Sequence, residues 1–127
     1  IVVSNMTHPP FSSWSAEGLP VGIEVDLVAH ALSLRGETVT WTEHPFGELL
    51  ERVASGRADI AAATIGVTAE RAQRVAFTEP YFRTMIVALV RQGAQEPTTL
   101  EELEGRAVGV DPGTTAYPAA RFKLPTR

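Results

Sequence analysis

At 127 residues the chain has the length of one domain, and with 44% hydrophobic and 20% charged residues it can bury a core. A formal net charge of −4 offers no basic footprint for nucleic acid or an anionic membrane. There is no cysteine, which excludes disulfides, thiolate metal sites and cysteine nucleophiles and leaves the compartment open.

The chain opens at Ile1, already inside a run that reads as a strand. It is therefore expected to be processed or trimmed, with any targeting segment outside it. No apolar run approaches the ~20 residues of a membrane span. Ile1–Ser4 is a short strand of strong β formers. Asn5–Pro20, rich in Pro, Ser and Gly, reads as a loop that carries Phe11 and Trp14. These aromatics are either a lid over the core or a wall that packs on a ligand.

The spacing of Ile23, Leu27, Ala31 and Leu34, with Val28 and Leu32 beside them, predicts a helix over 23–34 with that stripe inward, stopped at Gly36. Glu24 and Asp26 suit its dipole. Glu37–Thr42 is a second strand, broken by His44-Pro45, and Phe46–Ser55 a second helix with Leu49, Leu50 and Val53 inward. Ala58–Ala63 reads as a third strand, apolar enough to be buried on both faces. Strand, helix, strand, helix, strand is the order of a parallel α/β sheet, whose ligands gather beyond the carboxyl ends of the strands.

One loop leaving such an end is Thr64 to Arg71. Thr68 can cap a short helix, placing Arg71 on its first turn beside unpaired backbone N–H groups. A planar guanidinium near helix-start N–H groups suits a carboxylate. Arg71 could equally be a surface residue pairing with Glu70 or Glu79. Further on, Val75–Phe77 is extended, Thr84–Val90 an apolar strand, and Gln92–Pro97 a polar linker. Thr99-Leu100-Glu101-Glu102 fits a capping box. Ala107–Val110 reads as a strand, followed by a helix through Phe122. Around Gly113, Thr114 and Thr115 could offer N–H donors to an anion. His8, His30 and His44 lack metal-site spacing, and no serine elbow or nucleophile–base pair is visible, so neither a metal, a cofactor nor a catalytic group is assigned.

Six short motifs, in order, resemble the periplasmic solute-binding proteins for polar amino acids (family 3), which share their fold with ionotropic glutamate receptor ligand-binding domains. They are Pro9-Pro10-Phe11; Gly22-Ile23-Glu24-Val25-Asp26-Leu27; Ser55-Gly56-Arg57-Ala58-Asp59; Thr68-Ala69-Glu70-Arg71; Phe77-Thr78-Glu79-Pro80-Tyr81; and Leu100-Glu101-Glu102-Leu103 with Val108-Gly109-Val110 and Gly113-Thr114. The resemblance implies an α/β fold of the type II periplasmic-binding-protein kind, a three-layer αβα lobe with a mostly parallel sheet. Only the N-terminal half is covered, so the chain is read as truncated: residues 1–90 as lobe 1, 91–97 as hinge and 98–127 as the opening of lobe 2.

By the same resemblance Arg71 would pair with a ligand α-carboxylate, and Thr64 would offer its carbonyl to the ligand ammonium. Phe11 would lie in the family's proline-aromatic loop, and Thr114 and Thr115 would face the cleft from lobe 2. His8 stands where the family has an aromatic, Gly66 where it has Thr or Ser, so that only its backbone N–H would remain as a donor to the carboxylate, and Asp111 where the family has a basic or polar residue. Trp14 and Phe46 complete the aromatic candidates, and Thr68 the motif.

The implied function is an extracytoplasmic solute-binding protein of an ABC importer, not an enzyme, periplasmic or lipid-anchored at the cell surface. Its expected partners are a polar amino acid or similar small carboxylate and a membrane permease, with no nucleic acid. Self-association through an incomplete sheet edge is also expected. Two alternatives accompany it: a sensory domain of a channel or kinase receptor, and a cyclohexadienyl-type dehydratase with Glu79 as the local general-acid candidate.

Overall fold

The computed structural model describes residues 1–93, 97–99 and 101–123. They fall into two compact units, Ile1–Thr78 and Glu79–Arg127. Residues 94–96 of the expected linker, Leu100 of the expected capping box, and 124–127 lie outside the described residues.

The first unit is built on a three-stranded parallel sheet in the order β5-β1-β6, with β1 at Val2–Ser4, β5 at Trp41–Glu43 and β6 at Ile60–Ala61. Every residue of β1 is buried, as befits a central strand covered on both faces. The chain steps from β1 to β5 on one side, then crosses β1 to reach β6 on the other. Because such crossovers are right-handed as a rule, connections running in opposite directions place their helices on opposite faces of a sheet, the layering of an αβα lobe.

On one face Val3 packs with Leu49, Ala58 and Ala63, joined by Phe46, Val53, Ala61 and Ile65. Leu49 and Val53 come from α2 (Leu49–Ala54), which follows a 3-10 turn at Phe46–Glu48, so the helix expected over 46–55 is present with a tighter first turn. On the other face Ser4 meets Ser12 through a buried hydroxyl–hydroxyl hydrogen bond of 3.2 Å.

Ser12 belongs to an element that reads in the sequence as plain loop. Thr7–His8 (β2), Ser12–Trp14 (β3) and Pro20–Val21 (β4) form an antiparallel meander. Its strands are two or three residues long, too short for alternation to show. Two tight turns make it. Phe11 N–H donates to the His8 carbonyl at 2.8 Å across Pro9-Pro10, whose peptide is cis. The Ser15 hydroxyl accepts from the N–H groups of Glu17 and Leu19.

Helix α1 spans Ile23–Ser33. Its rotation differs from the expected one. Val25 is buried, with Val28 and Leu32 half-buried, whereas Ile23, Leu27 and Leu34 are exposed, Leu34 by 76%. Two apolar rows run along this helix, and periodicity alone cannot choose between them. The docking of its first turn chooses: the carbonyls of Pro10 and Phe11 accept from Ile23 and Glu24 N–H, each at 3.0 Å, so the meander turn supplies the partners that a helix start needs.

In the second unit a 3-10 turn covers Glu101–Leu103, with Leu103 buried, and helix α4 covers Ala116–Lys123. Glu102 reaches back to the Thr98 N–H at 2.7 Å, a capping contact one residue earlier than Thr99. The strands expected at Thr84–Val90 and Ala107–Val110 are not formed among the described residues. A strand exists only through its ladder, and no described neighbour provides one.

Candidate ligand site

The loops leaving β1 and β6 emerge at the same edge of the parallel sheet, and each turns abruptly. Met6 and Thr64 both adopt positive φ, 48° and 49°, uncommon for residues with a side chain. Past Thr64 the chain passes Gly66 and enters α3 (Ala69–Ala72). Thr68 is its N-cap, the hydroxyl accepting from Arg71 N–H at 3.2 Å. That cap, readable in the sequence, sets where Arg71 leaves the backbone.

The half-buried Arg71 side chain folds back over its own loop. Nη1 donates to the Gly66 carbonyl at 2.8 Å, and Cζ lies 5.8 Å from the Phe46 ring centroid, within cation–π range. A guanidinium carries five N–H donors in a rigid fork. One bond to a carbonyl and one aromatic face set the plane of that fork. Gly66, expected as an N–H donor to an anion, contributes its carbonyl to Arg71 in this arrangement. Arg71, Gly66, Thr68 and Phe46 are thus gathered in one place.

The aromatic turn forms a second group. His8 and Phe11 are tilted rings 5.8 Å apart at the tip of the meander. Trp14 Nε1 donates to Glu43 Oε2 at 2.7 Å, tying the meander to the end of β5.

Thr64 is engaged within the fold through two of its polar groups. Its hydroxyl donates to the Ala63 carbonyl at 2.8 Å, and its N–H donates to Glu24 Oε1 at 2.6 Å. The backbone carbonyl is the group through which it could serve a ligand. Glu24, expected only as a dipole residue of the first helical turn, is 1% exposed. Its signal in the sequence was its place directly after Gly22-Ile23, in the same helical row as Val28.

In the second unit Asp111 gathers the Gly113-Thr114 segment. Its carboxylate accepts from Gly113 N–H at 3.1 Å, and its carbonyl accepts from both Thr114 N–H and the Thr114 hydroxyl. Those N–H groups, expected to face an anion, are engaged by Asp111. Thr115 precedes α4 and is half-buried. Among the described residues no group of three or more His, Asp or Glu could hold a metal ion, and no helix is long and apolar enough to cross a membrane.

A parallel αβα lobe with an arginine loop beyond its strand ends defines the type II periplasmic-binding-protein class of fold. The chain belongs to the bacterial extracellular solute-binding proteins, family 3, whose model matches residues 1–121. It is 29% identical over 109 residues to ABC transporter arginine-binding protein 1 of Escherichia coli (strain K12), covering 86% of this chain and 44% of that protein. Among solved structures it resembles a truncated, arginine-bound ArgBP from T. maritima, with a TM-score of 0.86 and 30% identity over 95% of this chain and 57% of the other. It also resembles the ancestral amino acid-binding protein AncCDT-1, a precursor of cyclohexadienyl dehydratase, with a TM-score of 0.84 and 25% identity over 97% of this chain and 56% of the other. The chain therefore spans about half the length of the relatives it matches.

Proposed function

We propose that this chain supplies the carboxylate-holding wall of an extracytoplasmic solute-binding protein that delivers an amino acid to the permease of an ABC importer. The observation that carries this reading is Arg71: its guanidinium is oriented by the Gly66 carbonyl and the Phe46 ring on a capped loop beyond the parallel strands. Charge-assisted, two-pronged pairing of a guanidinium with a carboxylate is strong where water is excluded. In this reading residues 1–90 form lobe 1, 91–97 a hinge and 98–127 the opening of lobe 2. His8, Phe11 and Trp14 line the aromatic side of the cleft, Thr64 meets the ligand ammonium through its carbonyl, and Thr114 and Thr115 approach from lobe 2. The protein acts outside the cytoplasm, free in the periplasm or anchored at the surface.

Relatives named for binding arginine, histidine and lysine make these the first ligands to test. Isothermal titration of the full-length protein with a panel of L-amino acids should give a saturable signal for at least one of them. No heat with any member of the panel would sink the reading. The likeness to AncCDT-1 keeps a dehydratase as the second reading. Turnover of a prephenate-like acid by the full-length protein would favour it over binding alone. Membrane spans flanking the matched region in the full-length reading frame would favour a sensory domain instead.

A further inference from the structure

Glu24 sits at the crossing of the two loops that leave the sheet. Its backbone N–H is held by the Phe11 carbonyl at 3.0 Å, and its side-chain Oε1 holds the Thr64 N–H at 2.6 Å. The residue is 1% exposed, so its carboxyl group was withdrawn from water to make this contact, which is costly unless the contact is needed. Two features of the backbone lie beside this contact. Thr64 takes a φ of 49°, a conformation that a β-branched residue adopts only when its surroundings hold it there. Gly22, with φ 131°, carries no Cβ at the spot where one would meet the Phe11 carbonyl at 2.2 Å.

We infer that Glu24 is a positioning residue for ligand binding: it clamps the Thr64 end of the loop that carries Arg71 and locks that loop to the His8–Phe11 turn. Ala63 is fully buried on β6's exit and Thr64 follows it directly, so the clamp sits where the fixed sheet becomes the loop. Releasing it lets the peptide at Thr64 rotate, which redirects the Thr64 carbonyl and changes where the loop starts toward Gly66, the residue that orients Arg71. The two walls of the candidate site, aromatic and cationic, then no longer share one fixed point. The inference rests on the amino-acid-binding reading above for its ligand, but the clamp itself can be read without any ligand.

The test uses the full-length protein in two measurements. Amide hydrogen exchange without ligand reads protection of the Thr64 N–H, and titration with L-arginine reads affinity. Glu24→Ala removes the acceptor and should raise exchange at Thr64 and weaken arginine binding by roughly tenfold, mainly through faster dissociation. Glu24→Gln keeps an oxygen at the same reach and should hold both within about threefold. Should Glu24→Ala not fold, Glu24→Asp, one methylene too short, serves in its place. Combined with Arg71→Ala, the Glu24 substitution should cost far less affinity than it does alone, because what it positions has been removed. A purely structural contribution would add in full in that background. Unchanged Thr64 exchange in Glu24→Ala, or raised exchange with unaltered arginine affinity, overturns the inference about Glu24. Absence of arginine binding by the unaltered protein counts instead against the amino-acid reading, and the exchange measurement still decides whether Glu24 clamps Thr64.

Discussion

The carbonyl oxygen of Phe11 occupies the place where a side chain on Gly22 would have to be: a Cβ there would come within 2.2 Å of it. That closeness lets the Pro10 and Phe11 carbonyls accept from the first N–H groups of α1, and so joins the aromatic turn to the helix without a side-chain cap. Gly22→Ala should therefore destabilise the protein by about 1–3 kcal/mol, since it must displace backbone and not a flexible side chain. Gly36→Ala is the control. Gly36 has a positive φ of 70°, in the left-handed helical region and not at the 131° of Gly22, with open space around it, so only the conformational penalty of about 1 kcal/mol applies. Thermal melts of the two variants should show the larger loss in Gly22→Ala, and equal losses would show that neither the φ of 131° nor the Phe11 contact constrains Gly22 more than an ordinary left-handed glycine.

Arg71 should carry ligand affinity and not stability. Its contacts include a hydrogen bond to the Gly66 carbonyl and the Phe46 face, and the side chain is only half-buried. Arg71→Ala in the full-length protein is expected to cost roughly 2–5 kcal/mol of amino-acid binding, by leaving the ligand carboxylate without its partner. Arg71→Lys should recover little, because an ammonium cannot reproduce a planar fork held between a carbonyl and a ring. Calorimetry with unchanged affinity in either variant would remove Arg71 from the site.

The contrast between α1 and α3 shows what could be read from residues alone. The α3 cap was legible because it is local: Thr68 and Arg71 are three residues apart, and the hydroxyl of a threonine ahead of a short helical run can accept from the N–H three residues on. The parallel sheet was legible because Ile1–Ser4 and Ala58–Ala63 carry apolar runs, Val39 and Trp41 alternate with threonines, and helical spacing separates the three. The rotation of α1 was not, since Val25, Val28 and Leu32 form as good a row as Ile23, Leu27 and Leu34, and the choice is made by Pro10 and Phe11, about a dozen residues upstream of the helix start. The role of Glu24 escaped for the same reason: an acidic residue in a first helical turn already has a local explanation, while its partner Thr64 lies 40 residues away. The meander was hidden by its brevity, and its Ser4–Ser12 contact joins residues that look like loop polar groups.

Trp14 offers a separable test. Its indole N–H reaches Glu43 at the end of β5, an exposed contact that braces the meander against the sheet. Trp14→Phe keeps an aromatic ring and deletes the donor, so stability should fall by about 1 kcal/mol. If Trp14 also lines the cleft, the retained ring should preserve amino-acid affinity in Trp14→Phe while Trp14→Ala loses it. Equal affinity in both variants would assign Trp14 to bracing alone.

The segment from Tyr81 to Val90 predicts behaviour of the 127-residue chain in solution. It combines β-branched and other apolar residues, and Met85, Val87 and Leu89 are exposed, Leu89 by 96%. These three alternate, so in an extended conformation they would share one face. No ladder engages the segment among the described residues. An apolar run of strong strand formers with no strand partner is a template for pairing with another chain. The 127-residue chain should therefore self-associate with rising concentration in sedimentation velocity, and replacing Met85, Val87 and Leu89 together by lysine should return it to the monomer, because charges along an edge oppose pairing. In the full-length protein the same segment is expected to find an intramolecular strand, so that protein should sediment as a monomer over the same range. A parent chain that stays monomeric at about 100 μM, where even a micromolar contact would be populated, would show that this edge is not sticky.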